Sequence, residues 1–410
     1  MPQPPMPPPR PSQISGTNAE RTKAHNRRVV LGYVQLHDGA GRAEIARSSG
    51  LSTQTVSNLI AELELDGLVI PAGRRRSARG QPPLLYAFNP AGACALGFEV
   101  RPDVLVAALT DLAGKLIWQA QTPLPASDPA TVFAAMAQAA ETARAHSAAP
   151  LLGAGIVLPG PFGVEGLSAA GATVLHGWDG LDATRTRAEA ALDLPVIVEK
   201  DATAAAIGEA MRGAAQGLDH FCYLYFGAGL GLGTILQGQP LRGAYGNAGE
   251  IGHVVVVPGG LACDCGNAGC LEQYASRMAL RRHLARRGLL SPDTPRGGGQ
   301  TDRVAARLLA EGDTGLAGWL DRAATLLAPV IGMLENVFDP EAVVLGGALP
   351  DSILDDLIAR LDLPQGSVAR RAERQFPRVL RGASGRMTGA LGGAALVIHD
   401  TVTPRLDPAP

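Results

Sequence analysis

One imidazole and three thiols spaced H-x9-C-x-C-x4-C, at His253, Cys263, Cys265 and Cys270, constrain this chain more than any other feature of its 410 residues. That donor set is the composition of a closed tetrahedral zinc site, and sulfur ligands favour zinc over magnesium or calcium. With all four positions filled by protein atoms, the expected cofactor is a structural Zn2+ rather than a hydrolytic one. The alternative is three reduced cysteines in a glycine-rich loop, but Gly266 and Gly269 permit the tight turns that bring ligands together. The other two cysteines, Cys94 and Cys222, fall in apolar strand-like runs and are expected in the core. Five cysteines, of which three fall within eight residues, do not read as a disulfide framework. No apolar run reaches the roughly 18 to 20 residues of a membrane span, and the proline-rich start is unlike a secretory signal. A cytoplasmic protein with no membrane partner is expected.

The formal net charge is only −2, which excludes a general polyanion binder, yet the charge is unevenly spread. Residues 1 to 90 hold 11 basic and 6 acidic side chains, and the remainder 25 and 32, so a nucleic-acid module is sought at the front. Residues 1 to 19, with seven prolines in the first eleven positions, read as a disordered leader. From Asn26, the apolar face Val30, Leu31, Val34 and Leu36 reads as a helix ending at Asp38-Gly39. A second helix is expected over Arg42 to Ser49 and a third from Thr53 to about Asp66. Strands follow at 68–70 and 84–88, joined by a basic segment containing Arg74, Arg75, Arg76 and Arg79. Three helices and a basic hairpin make a winged helix-turn-helix over 20–90. Ala46, Gly50 and Val56 carry the spacing of the helix pair, and Ile45, Leu51, Leu59 and Leu63 complete its inner face. Ser52 is positioned as N-cap of the third helix, and Gln54, Ser57 and Asn58 project away from the buried stripe. These four and the four arginines are the candidate DNA contacts, amides for adenine and guanidinium groups for phosphate or the minor groove.

Beyond Pro90 the pattern alternates between strands and helices. Ala95 to Glu99 and Val104 to Thr110 read as paired strands. Ser127-Asp128-Pro129 caps an Ala-rich helix to about His146, and strands over Gly153 to Leu158 and Val196 to Glu199 lead into a helix from Ala202 to Arg212. A second hairpin begins at Phe221. Two halves that each open with a hairpin suggest a duplicated α/β body over 91–400, with lobes of about 91–215 and 216–400.

The segments Ala248-Gly249-Glu250-Ile251-Gly252-His253 and Cys263-Asp264-Cys265-Gly266-Asn267-Ala268-Gly269-Cys270-Leu271-Glu272 resemble the two signature motifs of the ROK family (repressor, open reading frame, kinase). The resemblance runs from about residue 24 to 398. It implies an actin-like, ribonuclease H-like duplicated sugar kinase fold, and the winged helix in front implies the transcriptional-repressor branch. By resemblance, Glu250, His253 and Glu272 would touch sugar hydroxyls, with His253 also on zinc. Asp201 matches the kinases' catalytic base, and Gly160 matches a glycine lining the same cleft. Ionised carboxylates accept strong hydrogen bonds from vicinal hydroxyls, which suits that role.

The phosphate machinery departs from the family pattern. The kinases' Asp-x-Gly-Gly-Thr is here Glu99-Val100-Arg101-Pro102-Asp103, in which proline has no N–H to give, arginine replaces a glycine and Asp103 repels phosphate. In Gly227-Ala228-Gly229-Leu230-Gly231, Ala228 replaces a threonine. Lys200 stands where the kinases have asparagine. Either it pairs with Asp201 or Glu250 and partly closes the pocket, or it selects an anionic sugar derivative. The expected protein is a non-enzymatic, sugar-responsive regulator, a homodimer or homotetramer on a near-palindromic operator, repressing carbohydrate genes. The alternatives are an ATP-dependent sugar kinase with an added DNA module and a regulator whose ROK body binds a protein partner.

Overall fold

A computed structural model describes residues 19–74, 83–162, 175, 177–178, 180–291, 299–382 and 385–403. The expected leader lies outside the described residues but for its last residue, and Arg75, Arg76 and Arg79 lie outside them altogether. The structure divides into two compact units, one within Met1–Phe88 and the other within Asn89–Thr401. Among the described residues no helix is long and apolar enough to cross a membrane.

The first unit runs α1 (Ala19–Leu36), β1 (Ala40–Gly41), α2 (Arg42–Ser49), α3 (Thr53–Leu65), β2 (Val69–Arg74) and β3 (Leu84–Phe88), with the strands in the order β1-β3-β2. Gly50 ends α2 at φ 70°, a left-handed turn that glycine adopts without Cβ strain. Ser52 then caps α3, its Oγ accepting the Thr55 N–H at 3.0 Å. Val30, Leu31, Ile45, Val56, Leu59, Ile60, Leu63 and Tyr86 form the core. Leu36, assigned to the buried face by its spacing, is instead 80% exposed because it occupies the last position of α1.

The second unit continues with β4 (Cys94–Arg101), β5 (Val104–Asp111), β6 (Leu116–Pro123), α4 (Pro129–Arg144), β7 (Leu151–Leu158), α5 (Gly180–Leu192), β8 (Val196–Lys200) and α6 (Asp201–Arg212). Then come β9 (Phe221–Phe226), β10 (Leu230–Leu236), β11 (Gln239–Pro240), α7 (Glu272–Ala275), α8 (Arg277–Arg286), α9 (Gln300–Ala310), α10 (Thr314–Phe338), β12 (Ala342–Gly347), α11 (Asp351–Ala359), β13 (Val379–Arg381) and α12 (Thr388–Val402). One sheet is ordered β6-β5-β4-β7-β8 and the other β11-β10-β9-β12-β13. In both, the first three strands in sequence pair antiparallel as a meander and the last two add in parallel. Identical order and polarity make the duplication a property of the fold.

Between the sheets lie α6 and α12, and small residues let them approach closely. An added Cβ at Gly97 on β4 would stand 1.8 Å from the Ala390 carbonyl oxygen, and one at Gly155 on β7 1.9 Å from that of Gly393. Where α6 meets β10, a Cβ on Gly233 would come 2.3 Å from the Ala202 oxygen. Ala202, Ala204, Ala205 and Ala206 join Val157, Phe221, Tyr223, Val344 and Leu396 in one cluster that draws on both sheets. Cys94 and Cys222 are both buried as expected, and burial pushes the Cys222 thiol up to about 12.

Because the obstructing atoms are backbone, Gly97→Ala and Gly155→Ala should each cost about 3 kcal/mol or more in denaturant unfolding. Gly318→Ala, on the open side of α10 with nothing within 4 Å, should be neutral or gain about 0.5 to 1 kcal/mol. Equal effects at the three positions would contradict this packing.

Candidate functional site

Residues that are far apart in sequence converge at the ends of β7, β8 and β9. Gly160 follows β7, and a Cβ there would sit 2.8 Å from Glu250 Oε1 and 2.9 Å from Lys200 Cε, so a side chain at this position would displace that pair. Lys200 ends β8 and is 2% exposed. Its Nζ is held by an ion pair with Glu250 Oε1 and a 3.0 Å hydrogen bond donated to the Ala248 carbonyl. This is the first of the two arrangements considered for Lys200. The partner is Glu250, and the ammonium is turned into the protein rather than offered to a ligand. Neighbouring Glu199, also buried, accepts from Arg242 Nε at 2.6 Å.

The chain continues through His253, whose Nε2 lies 4.0 Å from Glu250 Oε2 and whose Nδ1 lies 3.8 Å from Glu272 Oε1. Glu272 opens α7, with Oε1 3.2 Å from Cys263 Sγ. The structure therefore brings together Gly160, Lys200, Glu250, His253 and Glu272. Sequence reasoning missed Asn247, which clamps the loop after Gly160 by accepting from Phe162 N and donating to Phe162 O, each at 2.8 Å. Its signal was its place one residue before the glycine-rich motif.

Asp201 begins α6 beside Lys200, its Oδ1 accepting the Ala202 N–H at 2.7 Å. Burial pushes its carboxyl up to about 7, outweighing the pull of Lys200 and of that N–H, while Glu99 and Glu250 add to the rise. The β9–β10 turn closes over it. A Cβ at Gly227 would lie 3.6 Å from Asp201 Oδ2, and one at Gly229 2.7 Å from Glu272 Oε2.

Asp201 also lines a solvent-open cleft of about 90 Å3, walled by residues 99–103, Gly227, Ala228, Arg277, Met278 and Arg281. Here the glutamate and arginine of the divergent first loop bind one another. Arg101 Nε and Nη2 donate to the two Glu99 oxygens at 2.8 Å each, Nη2 also reaches the Arg386 carbonyl at 2.9 Å, and the Tyr225 hydroxyl donates to Glu99 at 3.2 Å. Burial opposes the Arg101 charge, but Glu99 holds its pKa above the ordinary arginine range. The Ala228 carbonyl accepts from Met278 N at 3.2 Å.

The donor atoms of His253, Cys263, Cys265 and Cys270 all lie within 4.8 Å of one another. Cys263 Sγ is 3.6 Å from His253 Nδ1, and Cys265 Sγ is 3.6 Å from Cys270 Sγ. Tetrahedral bonds of 2.0 to 2.3 Å put neighbouring ligands roughly 3.5 to 3.8 Å apart, so the four donors fit one metal ion. Bridges Val255–Cys270 and Ala262–Ala268 close the loop, and a Cβ at Gly269 would strike the Val257 carbonyl oxygen at 1.7 Å. Burial first, and after it Cys265 and the Glu272 charge, push the Cys270 thiol up to about 11, so a cation is what would draw this sulfur into its thiolate form.

On the first unit, Gln54 and Asn58 are exposed on α3, with Gln54 Nε2 donating to Asn58 Oδ1 at 2.9 Å. Ser57 is half-buried and Arg74 is exposed at the end of β2.

Two duplicated sheets with a carboxylate-lined cleft between them are the architecture of actin-like sugar kinases and their relatives. The chain belongs to the ROK family, whose family model matches residues 96–400. It is 27% identical over 383 residues to a xylose repressor of Bacillus subtilis (strain 168), covering 92% of this chain and 95% of the relative. Among solved structures it is similar to a ROK family transcriptional regulator, a homolog of the E. coli MLC protein (TM-score 0.71, 24% identity, 93% of this chain and 98% of that one). It also resembles a ROK family glucokinase from Streptomyces griseus in complex with glucose and AMPPNP (TM-score 0.58, 27% identity, 74% and 99%).

A carboxyl that keeps its proton longer in the fold than in the unfolded chain contributes most below the ordinary carboxylate range and loses that contribution as pH rises toward 7. Asp201→Asn should match the parent near pH 4 and exceed it by on the order of 4 kcal/mol near pH 8 in denaturant melts. A difference independent of pH would show that Asp201 is ionised throughout.

Proposed function

We propose that the protein is a sugar-responsive, DNA-binding transcriptional regulator, most simply a repressor, and not a sugar kinase. The observation that carries this reading is the contrast within one cleft. The carboxylates on its sugar side are assembled and aligned by Lys200 and His253, whereas the loop that cradles nucleotide phosphates in the kinases is occupied by the Glu99–Arg101 pair. Phosphoryl transfer needs backbone N–H groups and a metal around the phosphates, and Pro102 and the Arg101 side chain stand in that place. The full-length likeness to a xylose repressor, including the residues in front of the ROK match, supports the regulatory reading.

In this reading Gly160, Asp201, Glu250, His253 and Glu272 bind the sugar, and Lys200 orients Glu250. The amides of Gln54 and Asn58, with Ser52 and Ser57 at the start of the same helix, face the major groove, and Arg74 with Arg75, Arg76 and Arg79 of the wing engages phosphate. Reading two half-sites requires a homo-oligomer, a dimer or tetramer, on a near-palindromic operator. Sugar and DNA affect each other's affinity reciprocally, so a sugar that favours the DNA-free state weakens DNA binding by the same factor. His253, Cys263, Cys265 and Cys270 would hold Zn2+, which when bound fixes His253 and the loop leading to Glu272. A regulator whose ROK body meets a protein partner instead of a sugar is the reading left if no sugar binds.

Fluorescence anisotropy on DNA from upstream of the protein's own gene tests this. Specific binding should fall on adding a sugar from a pooled library, and Gln54→Ala or Asn58→Ala should each cost about 1 to 3 kcal/mol of affinity. An ADP-release assay exceeding background in the presence of sugar would overturn the non-kinase part. Elemental analysis should find about one zinc per chain in the parent and a clear loss in Cys265→Ser, together with a lower Tm. Zinc far below one per chain in the parent contradicts the metal assignment.

A further inference from the structure

The outer face of α3 offers a duplex few free groups. Ser52 Oγ, which caps the helix, lies 2.8 Å from Thr55 Oγ1 and accepts the Thr55 N–H, so both hydroxyls are engaged with the helix's own first turn. Val56, Leu59, Ile60 and Leu63 are buried on the opposite face. Toward its C-terminal end α3 and its cap carry Glu62, Glu64 and Asp66, and a row of carboxylates repels phosphate. Glu62 pairs with Lys23 at 2.8 Å and Asp66 with Arg27 at 2.6 Å, which ties that end of the helix to α1. The stretch able to meet base edges is therefore 53–58, and its long side chains are Gln54 and Asn58, both exposed.

These two amides stand four residues apart, one above the other on the helix surface, and they bond to each other, Gln54 Nε2 donating to Asn58 Oδ1 at 2.9 Å. That bond divides the reading between them. A primary amide has two N–H donors and one oxygen with two acceptor sites. Gln54 gives one N–H to Asn58 and keeps the other together with its oxygen, the donor and acceptor that match N7 and N6–H of adenine. Asn58 has turned its oxygen to Gln54 and keeps two N–H donors, which match guanine N7 and O6 or thymine O4 but not the N4 donor of cytosine. Resting on the DNA-binding reading above, we propose that Gln54 and Asn58 act as one recognition unit, in which Asn58 holds the Gln54 amide in register for adenine and itself reads an acceptor-bearing base on a neighbouring base pair. Each half-site then carries an adenine whose preference depends on a side chain that does not touch it.

Selection of a randomised duplex pool by the full-length protein at fixed salt, followed by anisotropy on the selected half-site and its single base-pair variants, tests this. The parent should lose about ten-fold in affinity when the adenine is replaced, and about as much when the neighbouring guanine or thymine becomes cytosine. Gln54→Ala should remove the adenine preference alone. Asn58→Asp keeps the oxygen that orients Gln54 and removes the donors, so it should retain the adenine preference and lose the neighbouring one. Asn58→Ala releases Gln54 and should flatten both preferences to within about two-fold. Each preference is a ratio between duplexes, which cancels the general repulsion brought by an added carboxylate, and DNA-free Tm reports that the variants fold. Adenine preference that survives in Asn58→Ala or is lost in Asn58→Asp, or a half-site with no position sensitive to Gln54→Ala, overturns the inference and leaves specific DNA binding standing. A pool that yields no preferred sequence overturns both.

Discussion

Direct backbone contact between the sheets and the helices sandwiched between them is the constraint on which the rest of the ROK body depends. Gly97 and Gly155 let α12 lie against β4 and β7, Gly233 lets α6 lie against β10, and the alanines of α6 fill what remains. Close packing at this distance gains dispersion along the whole crossing and leaves no tolerance for an added methyl group. It also sets the site. Asp201 is the first residue of α6 and Lys200 the last of β8, so the seating of α6 decides where both stand relative to the β9–β10 turn that covers them.

Within that frame, charge pairing decides which groups remain for a ligand. A lysine 2% exposed needs a partner, and it takes Glu250 and the Ala248 carbonyl, which orients the Glu250 carboxylate toward His253. Glu99 and Arg101 satisfy each other in the same way on the wall of the cleft beside Asp201. The zinc-type cluster couples to the same chain of groups, because His253 stands between Cys263 and the two glutamates.

Much of this was legible in the sequence for identifiable physical reasons. The donor spacing of His253, Cys263, Cys265 and Cys270 survives any fold because the loop is short, and Ser52, Gly50 and Asp128 act on their own backbone neighbours as caps and turns. The strands at 95–99, 104–110 and 153–158 carry continuous apolar runs, and each emerged within a residue or two of its expected limits. Leu36 misled because helical periodicity says nothing about where the neighbouring element ends. Arg277 and Arg281 went unnoticed because a pair of basic residues four apart on a helix usually marks a solvated face; only the placement of α8 against the β9–β10 turn turns them toward a cleft.

What the sequence determined by itself was therefore local or short-range: the metal donors, the helix caps, the polar outer face of α3, and the motif residues that mark the family. Tertiary structure alone decided that Lys200 is committed to Glu250 and that the Asp201 carboxyl is pushed up to about 7. Each of these depends on burial, and on partners that include Glu250, fifty residues from Lys200, and Glu99, about a hundred from Asp201. Distance along the chain does not report the dielectric around a carboxyl or which cation reaches it first. Those quantities exist only once the two sheets have closed on α6 and α12.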